Sequence, residues 1–239
     1  MPEPHDPRRN RLLAVLPADA YARVSPHCEL VQLSLGQIVY ESGIRMSYVY
    51  FPIDAIVSLL YVLANGAQAE IAVVGNEGIV GISLFMGGET TTNRAIVQSA
   101  GHAYRLPGQL LKDEFSRAGP MQHLLLRYTQ ALITQMAQTA VCNRHHSLEQ
   151  QFCRWLLLSL DRLSSNRLVM TQELIANMLG VQRERVTKAA SKVQSAGLIE
   201  YSRGRITVLD RAGLEKRACE CYAAVKTESE RLLPRAIAR

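Results

Sequence analysis

The sequence predicts an α+β protein with three parts in chain order: an N-terminal β-roll or jelly roll, a long helix and a C-terminal winged helix-turn-helix. Short apolar runs separated by turn residues fill most of residues 25–118, which is typical of a β domain. From Pro120 onwards the apolar residues recur at helical intervals. Between Met170 and Leu209, two amphipathic segments flank a glycine and a hairpin pattern follows them. Because domains average ~100–200 residues, the 239 residues indicate two domains.

The N-terminal part begins with ten residues that include three prolines and several charges, which predicts disorder there. Residues 11–24 are expected to form one or two short helices. The candidate strands are Glu29–Leu33, Gln37–Tyr40, Met46–Phe51, Ala55–Val62, Ala69–Val74, Arg94–Gln98 and Ala103–Leu106. Asn65-Gly66 is the strongest hairpin signal, because both residues tolerate positive φ.

A long helix is predicted to start at Pro120, since proline suits the first turn of a helix. One stripe of this helix alternates by four and three residues, as in a coiled-coil seam. Its members are Met121, Leu125, Tyr128, Leu132, Gln135, Thr139 and Cys142. We interpret this stripe as a dimer interface, with packing against the chain's own β domain as the alternative. Residues 147–163 should form the next helix and found the C-terminal core.

The helix-turn-helix pattern starts at Thr171, whose side chain can cap a helix while Glu173 complements its positive end. The apolar residues of this first helix are Leu174, Ile175, Met178 and Leu179. Gly180 supplies the permissive backbone that a sharp turn requires. The pattern therefore predicts a short capped helix that ends at this glycine.

The second helix, from about Arg183 to Ser195, should bury one face and project the other. The buried positions are Val186, Ala190 and Val193, and the outward set is Arg183, Glu184, Thr187, Lys188 and Ser191. Arginine recognises guanine, a carboxylate accepts from the cytosine amino group, and threonine offers a hydroxyl or a methyl contact. A solvated face of mixed charge is the alternative, but the capped helix and glycine turn before it favour base readout.

Two β-prone runs around Gly204 predict a wing, with Arg203 and Arg205 placed to contact phosphate. The predicted DNA-contacting residues are Arg183, Glu184, Thr187, Lys188, Thr171, Gln172, Lys192, Arg203 and Arg205. The net charge of +6 lies wholly in residues 145–239, which hold 16 basic and 10 acidic residues, whereas residues 1–144 hold 11 of each. A neutral half joined to a basic half indicates that sensing and DNA binding are divided between them.

Several other functional classes find little support in the sequence. The five cysteines are odd in number and scattered, which favours free thiols. On a helix, Cys219 and Cys221 would point roughly 200° apart, which disfavours a shared metal, and His145 and His146 are expected to be solvated. No metal or cofactor is predicted. We expect a cytoplasmic protein, because no stretch approaches the roughly 20 apolar residues of a membrane span, and a non-enzyme, because P-loop, zinc-protease and hydrolase motifs are missing.

The order of these parts resembles the Crp-Fnr family of bacterial transcription regulators over nearly the whole chain. The most specific likeness spans Thr171 to Lys188 and Gly204 to Asp210. In the family register, Arg183, Glu184 and Lys188 fall on base-contacting positions, whereas Gln182 stands where the family often has a capping Ser or Thr. The implied domains are an N-terminal tail with short helices (1–24), a cyclic-nucleotide-binding-like roll (25–118), a dimerisation helix (119–144) and a winged helix-turn-helix domain (145–239). The implied partners are inverted-repeat DNA, a second copy of the chain, RNA polymerase and an unidentified small effector.

The ligand chemistry of the family does not carry over to this roll. Tyr50 to Leu59 resembles the family's roll, but no Gly-Glu pair stands in register with the pair that grips a ribose, where this chain has Val80 to Phe85. Thr91 or Thr92 stands where a phosphate-binding arginine is expected, and Arg94 comes about three residues late. We therefore expect a regulator that is not a standard cyclic-nucleotide binder. The alternative is a regulator whose DNA binding requires cyclic AMP or cyclic GMP. An iron–sulfur sensor would need more N-terminal cysteines than Cys28, and a haem sensor would have only His102 as a candidate ligand.

Overall fold

The computed structural model describes residues 6–233. It begins with a 3₁₀ turn over Pro7–Arg9, followed by the helices α1 (Arg11–Ala14) and α2 (Ala18–Val24). The prediction of disorder for the first ten residues is wrong where it can be compared, and residues 1–5 lie outside the described range. Asn10 is fully buried, and its polar side-chain atoms are paired. The amide donates to the carbonyls of Pro52 and Gly78, and the oxygen caps α1.

The β domain consists of two antiparallel sheets. Its strands are β1 (Glu29–Leu33), β2 (Ile38–Tyr40), β3 (Tyr48–Pro52), β4 (Ile56–Val62), β5 (Gln68–Val74), β6 (Arg94–Ser99) and β7 (Gly101–Pro107). One sheet has the order β1-β7-β3 and the other β2-β6-β4-β5. Each strand coincides with a predicted one to within two residues at either end, because alternating apolar residues between turn signals mark buried strands well.

Two helices follow the roll, α3 (Gly108–Ser116) and α4 (Pro120–His145). The seam predicted as a dimer interface faces the chain's own core instead, so this assignment is corrected. Six residues of this seam are each at most 8% exposed: Met121, Leu125, Tyr128, Leu132, Gln135 and Thr139. The Gln135 amide pairs with the backbone of Val73 in the roll, and the ring of Tyr128 lies against Gly78. The alternative interpretation, packing against the β domain, holds for the first part of the stripe, whereas Thr139 accepts from Arg154 of the C-terminal part.

The C-terminal part consists of α5 (Leu148–Leu160), β8 (Arg167–Val169), α6 (Gln172–Leu179), α7 (Arg183–Ser195), β9 (Ile199–Ser202), β10 (Arg205–Val208), α8 (Arg211–Arg217) and α9 (Glu220–Leu232). Its small sheet has the order β8-β10-β9. Ser147 and Gln150 form a reciprocal capping box at the start of α5. Helix α9 returns along α4 and makes extensive contact with it. None of the helices between residues 6 and 233 is both long and apolar enough to cross a membrane.

The two halves share a continuous apolar core. Ile56 and Leu60 of the roll join Phe152 and Leu156 of α5 in one cluster of buried side chains. Helix α6 rests on β5, and at the α6–α7 turn the backbone of Gly180 lies close to Ala69. The helix-turn-helix is therefore docked on the roll of its own chain.

Three of the five cysteines meet in space, which corrects the expectation drawn from their scattered positions in the sequence. Cys142, Cys219, Cys221 and His146 meet where the end of α4 touches the start of α9. Cys219 precedes α9 as its N-cap in extended conformation, so the helical angle assumed between Cys219 and Cys221 does not apply. His146 is mostly buried rather than solvated, whereas His145 is exposed.

Candidate nucleic-acid interface

The first helix of the motif is held in place at both ends. The Thr171 hydroxyl accepts a hydrogen bond from the Leu174 amide at 3.2 Å. Gly180 ends α6 with φ 65°, a left-handed conformation that glycine adopts without strain. Ile175, Ala176 and Met178 face the core. The predicted start, turn and buried face of this helix are thus observed.

Helix α7 follows after three residues and spans the predicted range. It buries Val186, Ala189, Ala190 and Val193. Gln182 is the N-cap but makes no side-chain capping bond, so the first amides of α7 have no capping side chain. These amides and the helix dipole favour an anion such as a DNA phosphate at this end.

The outward face of α7 is exposed to solvent. Arg183, Glu184 and Lys188 make no ion pair with any other residue in the range 6–233, so their charges are available to a ligand. The Thr187 hydroxyl lies 2.7 Å from the Gln172 side-chain oxygen, which links α7 to α6. The structure thus brings Arg183, Glu184, Thr187, Lys188 and Gln172 together on one surface.

The wing is a tight hairpin between β9 and β10. Arg203 and Gly204 both have positive φ, 50° and 73°, as a two-residue hairpin turn of the mirror-image type requires. The Tyr201 hydroxyl donates to the Met170 carbonyl at 2.8 Å, which fixes the wing beside the start of α6. Burial raises the pKa of Tyr201 to about 12, so the phenol keeps its proton at neutral pH. Arg203 and Arg205 are both exposed on this hairpin.

Lys192 stands apart from the other predicted contacts. Its ammonium lies 3.9 Å from the Glu149 carboxylate, which also pairs with Arg217 at 2.7 Å. Sequence analysis missed Arg185, which is exposed on the flank of α7. Arg185 directly follows Glu184 of the predicted outward set, and this neighbouring position could have identified it.

In the roll, the candidate ligand-binding groups are engaged within the protein. The Arg94 guanidinium pairs with the Glu41 carboxylate at 2.8 Å, and this arginine lowers the pKa of Glu41. The Thr92 hydroxyl lies 3.2 Å from the Tyr61 hydroxyl. His102, the only residue considered as a haem ligand, lies 3.4 Å from Asp54 through its Nδ1 atom.

The fold and its exposed basic helix define a regulator in which a β-roll is joined to a DNA-binding winged helix-turn-helix. Two family models match: the Crp-like helix-turn-helix domain over residues 150–217 and the cyclic nucleotide-binding domain over residues 30–118. Together they match well over half of the chain, in the order typical of one family. The chain belongs to the Crp-Fnr family of transcription regulators.

Solved structures show the same fold. A Crp/Fnr-family transcriptional regulator from Eubacterium rectale aligns with TM-score 0.68 and 18% identity over 87% of this chain and 98% of that one. FixK2 from Bradyrhizobium japonicum aligns with TM-score 0.67 and 15% identity over 80% and 98%. A Crp/Fnr-family regulator from Thermus thermophilus aligns with TM-score 0.62 and 22% identity over 80% and 98%. No curated protein matches the chain.

Proposed function

We propose that this regulator acts in the cytoplasm as a homodimer on an inverted-repeat DNA site, with helix α7 of each copy in a major groove. The observation that carries the dimer is a second stripe on α4, distinct from the buried seam. Leu126, Ile133 and Val141 are 50%, 56% and 48% exposed. They lie seven and eight residues apart, and Ala137 falls between the last two. These intervals place the four residues on one face of the helix, where a second copy of α4 can pack.

The base-reading assignment is supported by charge and accessibility. Helix α7 carries four cations, and its one acid, Glu184, stands among them on the exposed face. A carboxylate weakens attraction to phosphate, so its place there favours contact with base edges. We assign Arg183, Glu184, Thr187 and Lys188 to bases. We assign phosphate contacts to Thr171, Gln172, Arg185, Arg203 and Arg205. Lys192 can contact a phosphate only after its ion pair with Glu149 breaks.

Selection of bound sequences from random DNA tests the dimer and its site together. Two reading helices in successive major grooves stand about 34–36 Å apart, so the selected sites should be inverted repeats with half-sites about one helical turn apart. Selection of single, unpaired half-sites would contradict the proposal.

A charge on the α4 stripe tests the interface itself. We expect Ile133→Glu to sediment as a monomer, because two carboxylates would face each other across the dimer axis. Leu63→Glu is the matched control, since Leu63 is 61% exposed on the β4–β5 hairpin. A dimer that persists in the Ile133 variant and dissociates in the Leu63 variant would place the interface elsewhere.

We further propose that the roll is not a standard cyclic-nucleotide site, because the Arg94 guanidinium already pairs with Glu41 and a cyclic phosphate would lack its counter-charge. The match of residues 30–118 to the cyclic nucleotide-binding domain favours a second candidate, a regulator that needs cyclic AMP or cyclic GMP. Calorimetric titration with both nucleotides separates the two. Micromolar binding would favour the second candidate.

RNA polymerase is the further partner that we propose. Transcription reconstituted from a promoter that carries the selected site is the test, and a change in transcript yield on addition of the protein is expected. A yield that does not change when the site is occupied would argue against this part of the proposal.

A further inference from the structure

Three thiols and one imidazole converge at the junction of α4 and α9. Cys142 lies in the last turn of α4, and His146, the C-cap of this helix, donates its backbone amide to the Cys142 carbonyl. Cys219 is the N-cap of α9 and Cys221 lies in its first turn. One donor atom from each of the four residues lies within 4.8 Å of all the others.

The individual distances suit a single tetrahedral ion. The sulfur atoms of Cys142 and Cys219 are 3.4 Å apart, and the sulfur of Cys221 is 3.6 Å from Nδ1 of His146. Donors at the usual zinc distances of about 2.3 Å for sulfur and about 2.0 Å for nitrogen, in tetrahedral arrangement, are separated by about 3.5–3.8 Å. The four donors need only small shifts to surround an ion.

The donor set also selects the kind of ion. Three thiolates and one imidazole form one of the ligand sets of structural zinc sites. Hard cations such as magnesium and calcium prefer oxygen donors instead. The three cysteine residues are buried and His146 is largely so, which shields the site from solvent.

Neighbouring groups hold these donors in a suitable orientation. The Nε2 atom of His146 lies 3.2 Å from the Glu220 carboxylate, which leaves Nδ1 directed toward the sulfurs. Such a carboxylate–histidine pair is typical around bound zinc. The Gln151 amide donates to the carbonyls of Cys142 and His146 and so fixes the last turn of α4.

We propose that Cys142, His146, Cys219 and Cys221 bind one Zn²⁺ ion per chain in a tetrahedral structural site. The ion fastens the start of α9 to the end of α4, directly before the Ser147 cap where the DNA-binding part begins. Binding releases the thiol protons, and the sulfur–metal bonds replace the weak contacts between the thiols. Loss of the ion should free the start of α9 from the end of α4.

Metal analysis of the full-length chain, purified with zinc and a thiol reductant but no chelator, tests the site. We expect one zinc per chain in the wild type, and a loss toward zero in Cys142→Ser, Cys221→Ser and His146→Ala. Two cysteines outside the cluster supply matched controls: Cys153→Ala, buried close by, and Cys28→Ser in the N-terminal part should both retain the ion. Zinc that persists in every cluster variant would mean adventitious binding and overturn the proposal.

A second measurement needs no variant and so does not depend on variant folding. We expect cobalt-substituted wild-type protein to show thiolate-to-cobalt charge-transfer absorption and the intense d–d bands of a tetrahedral site. Zinc X-ray absorption should report three sulfurs and one nitrogen. A metal-free wild type under reducing conditions, or a Cys142–Cys219 disulfide that mass spectrometry finds in place of the ion, would overturn the proposal.

Discussion

At the residue scale, the base-reading surface depends on charged side chains that make no ion pair within residues 6–233. Arg183 and Lys188 are exposed and make no ion pair in the described part of the protein, whereas most arginines of the roll are paired. An unpaired charge can bind a charged ligand without first breaking an ion pair within the protein. This distinguishes the outward face of α7 from a salt-bridged surface helix.

Replacement of Arg183 by alanine tests base readout directly. We expect a cost of about 1–3 kcal/mol that is confined to one position of the DNA site, with relaxed preference there, because a base contact is lost. Binding of a panel of single-base site variants measures this. The wing variant Arg203→Ala should instead weaken all sequences alike and reduce the salt dependence by about one phosphate contact. Uniform weakening by Arg183→Ala would reassign that residue to phosphate.

Local spacing decides some features of single residues, whereas a distant residue decides others. The outward positions of α7 follow from the helical period alone, so the sequence predicts them. The contact of Lys192 with Glu149 joins residues on different helices, and nothing in the local pattern of Lys192 indicates it. The pairing of Arg94 with Glu41 bridges β6 and the end of β2 and is equally invisible in the sequence.

At the element scale, the α6–α7 turn depends on a left-handed residue. Gly180→Ala should lower the free energy of unfolding by about 1–2 kcal/mol, because the added Cβ disfavours φ 65°. Urea unfolding at constant pH measures the change. Gly180→Asn is the matched control, since asparagine tolerates this conformation while its Cβ meets the same neighbour, Ala69 at 3.4 Å. Equal losses in both variants would attribute the effect to crowding at the roll rather than to backbone strain.

The elements themselves were predictable, but the partner of each helix face was not. Helix α4 carries two stripes of nearly equal period, one through Leu125 and Leu132 and one through Leu126 and Ile133. Periodicity cannot tell which stripe faces the roll. That choice depends on how α4 packs against the roll and against α9, which are distant from it in the sequence. The donor cluster was missed for a related reason: Cys219 lies before the helix start, and helix ends are where sequence patterns are least exact.

At the scale of the whole molecule, the roll and the DNA-binding part are joined by a buried polar contact as well as by apolar packing. The Gln98 amide of β6 donates to the Ser159 hydroxyl of α5 at 2.8 Å, and Ser58 of β4 donates to the Gln98 oxygen at 2.9 Å. Both hydrogen bonds are buried, so separation of the two parts must expose or rehydrate them. Trp155, the single tryptophan, is buried in the same interface and reports on it by fluorescence.

A buried carboxylate makes this interface sensitive to pH. Glu70 of β5 is buried among Ser58, Trp155 and two arginines of the α5 region, Arg154 and Arg162. Burial raises the pKa of Glu70 to about 7, although the Ser58 hydroxyl and the arginines partly oppose this. The folded chain therefore retains a proton that the unfolded chain releases from about pH 4.5 upwards. Stability should fall as the pH rises through about 4.5 to 7, by up to about 3 kcal/mol.

Glu70→Gln isolates this contribution, because glutamine has nearly the same shape and cannot ionise. We expect the variant to lose most of the decline in stability between about pH 5 and 7, and to be more stable than the wild type at about pH 8. Urea unfolding followed by Trp155 fluorescence measures both. Glu200→Gln removes an exposed carboxylate of the wing and should retain the wild-type pH profile. A Glu70 variant with an unchanged slope would show that this carboxylate does not link protonation to the docking of the helix-turn-helix on the roll.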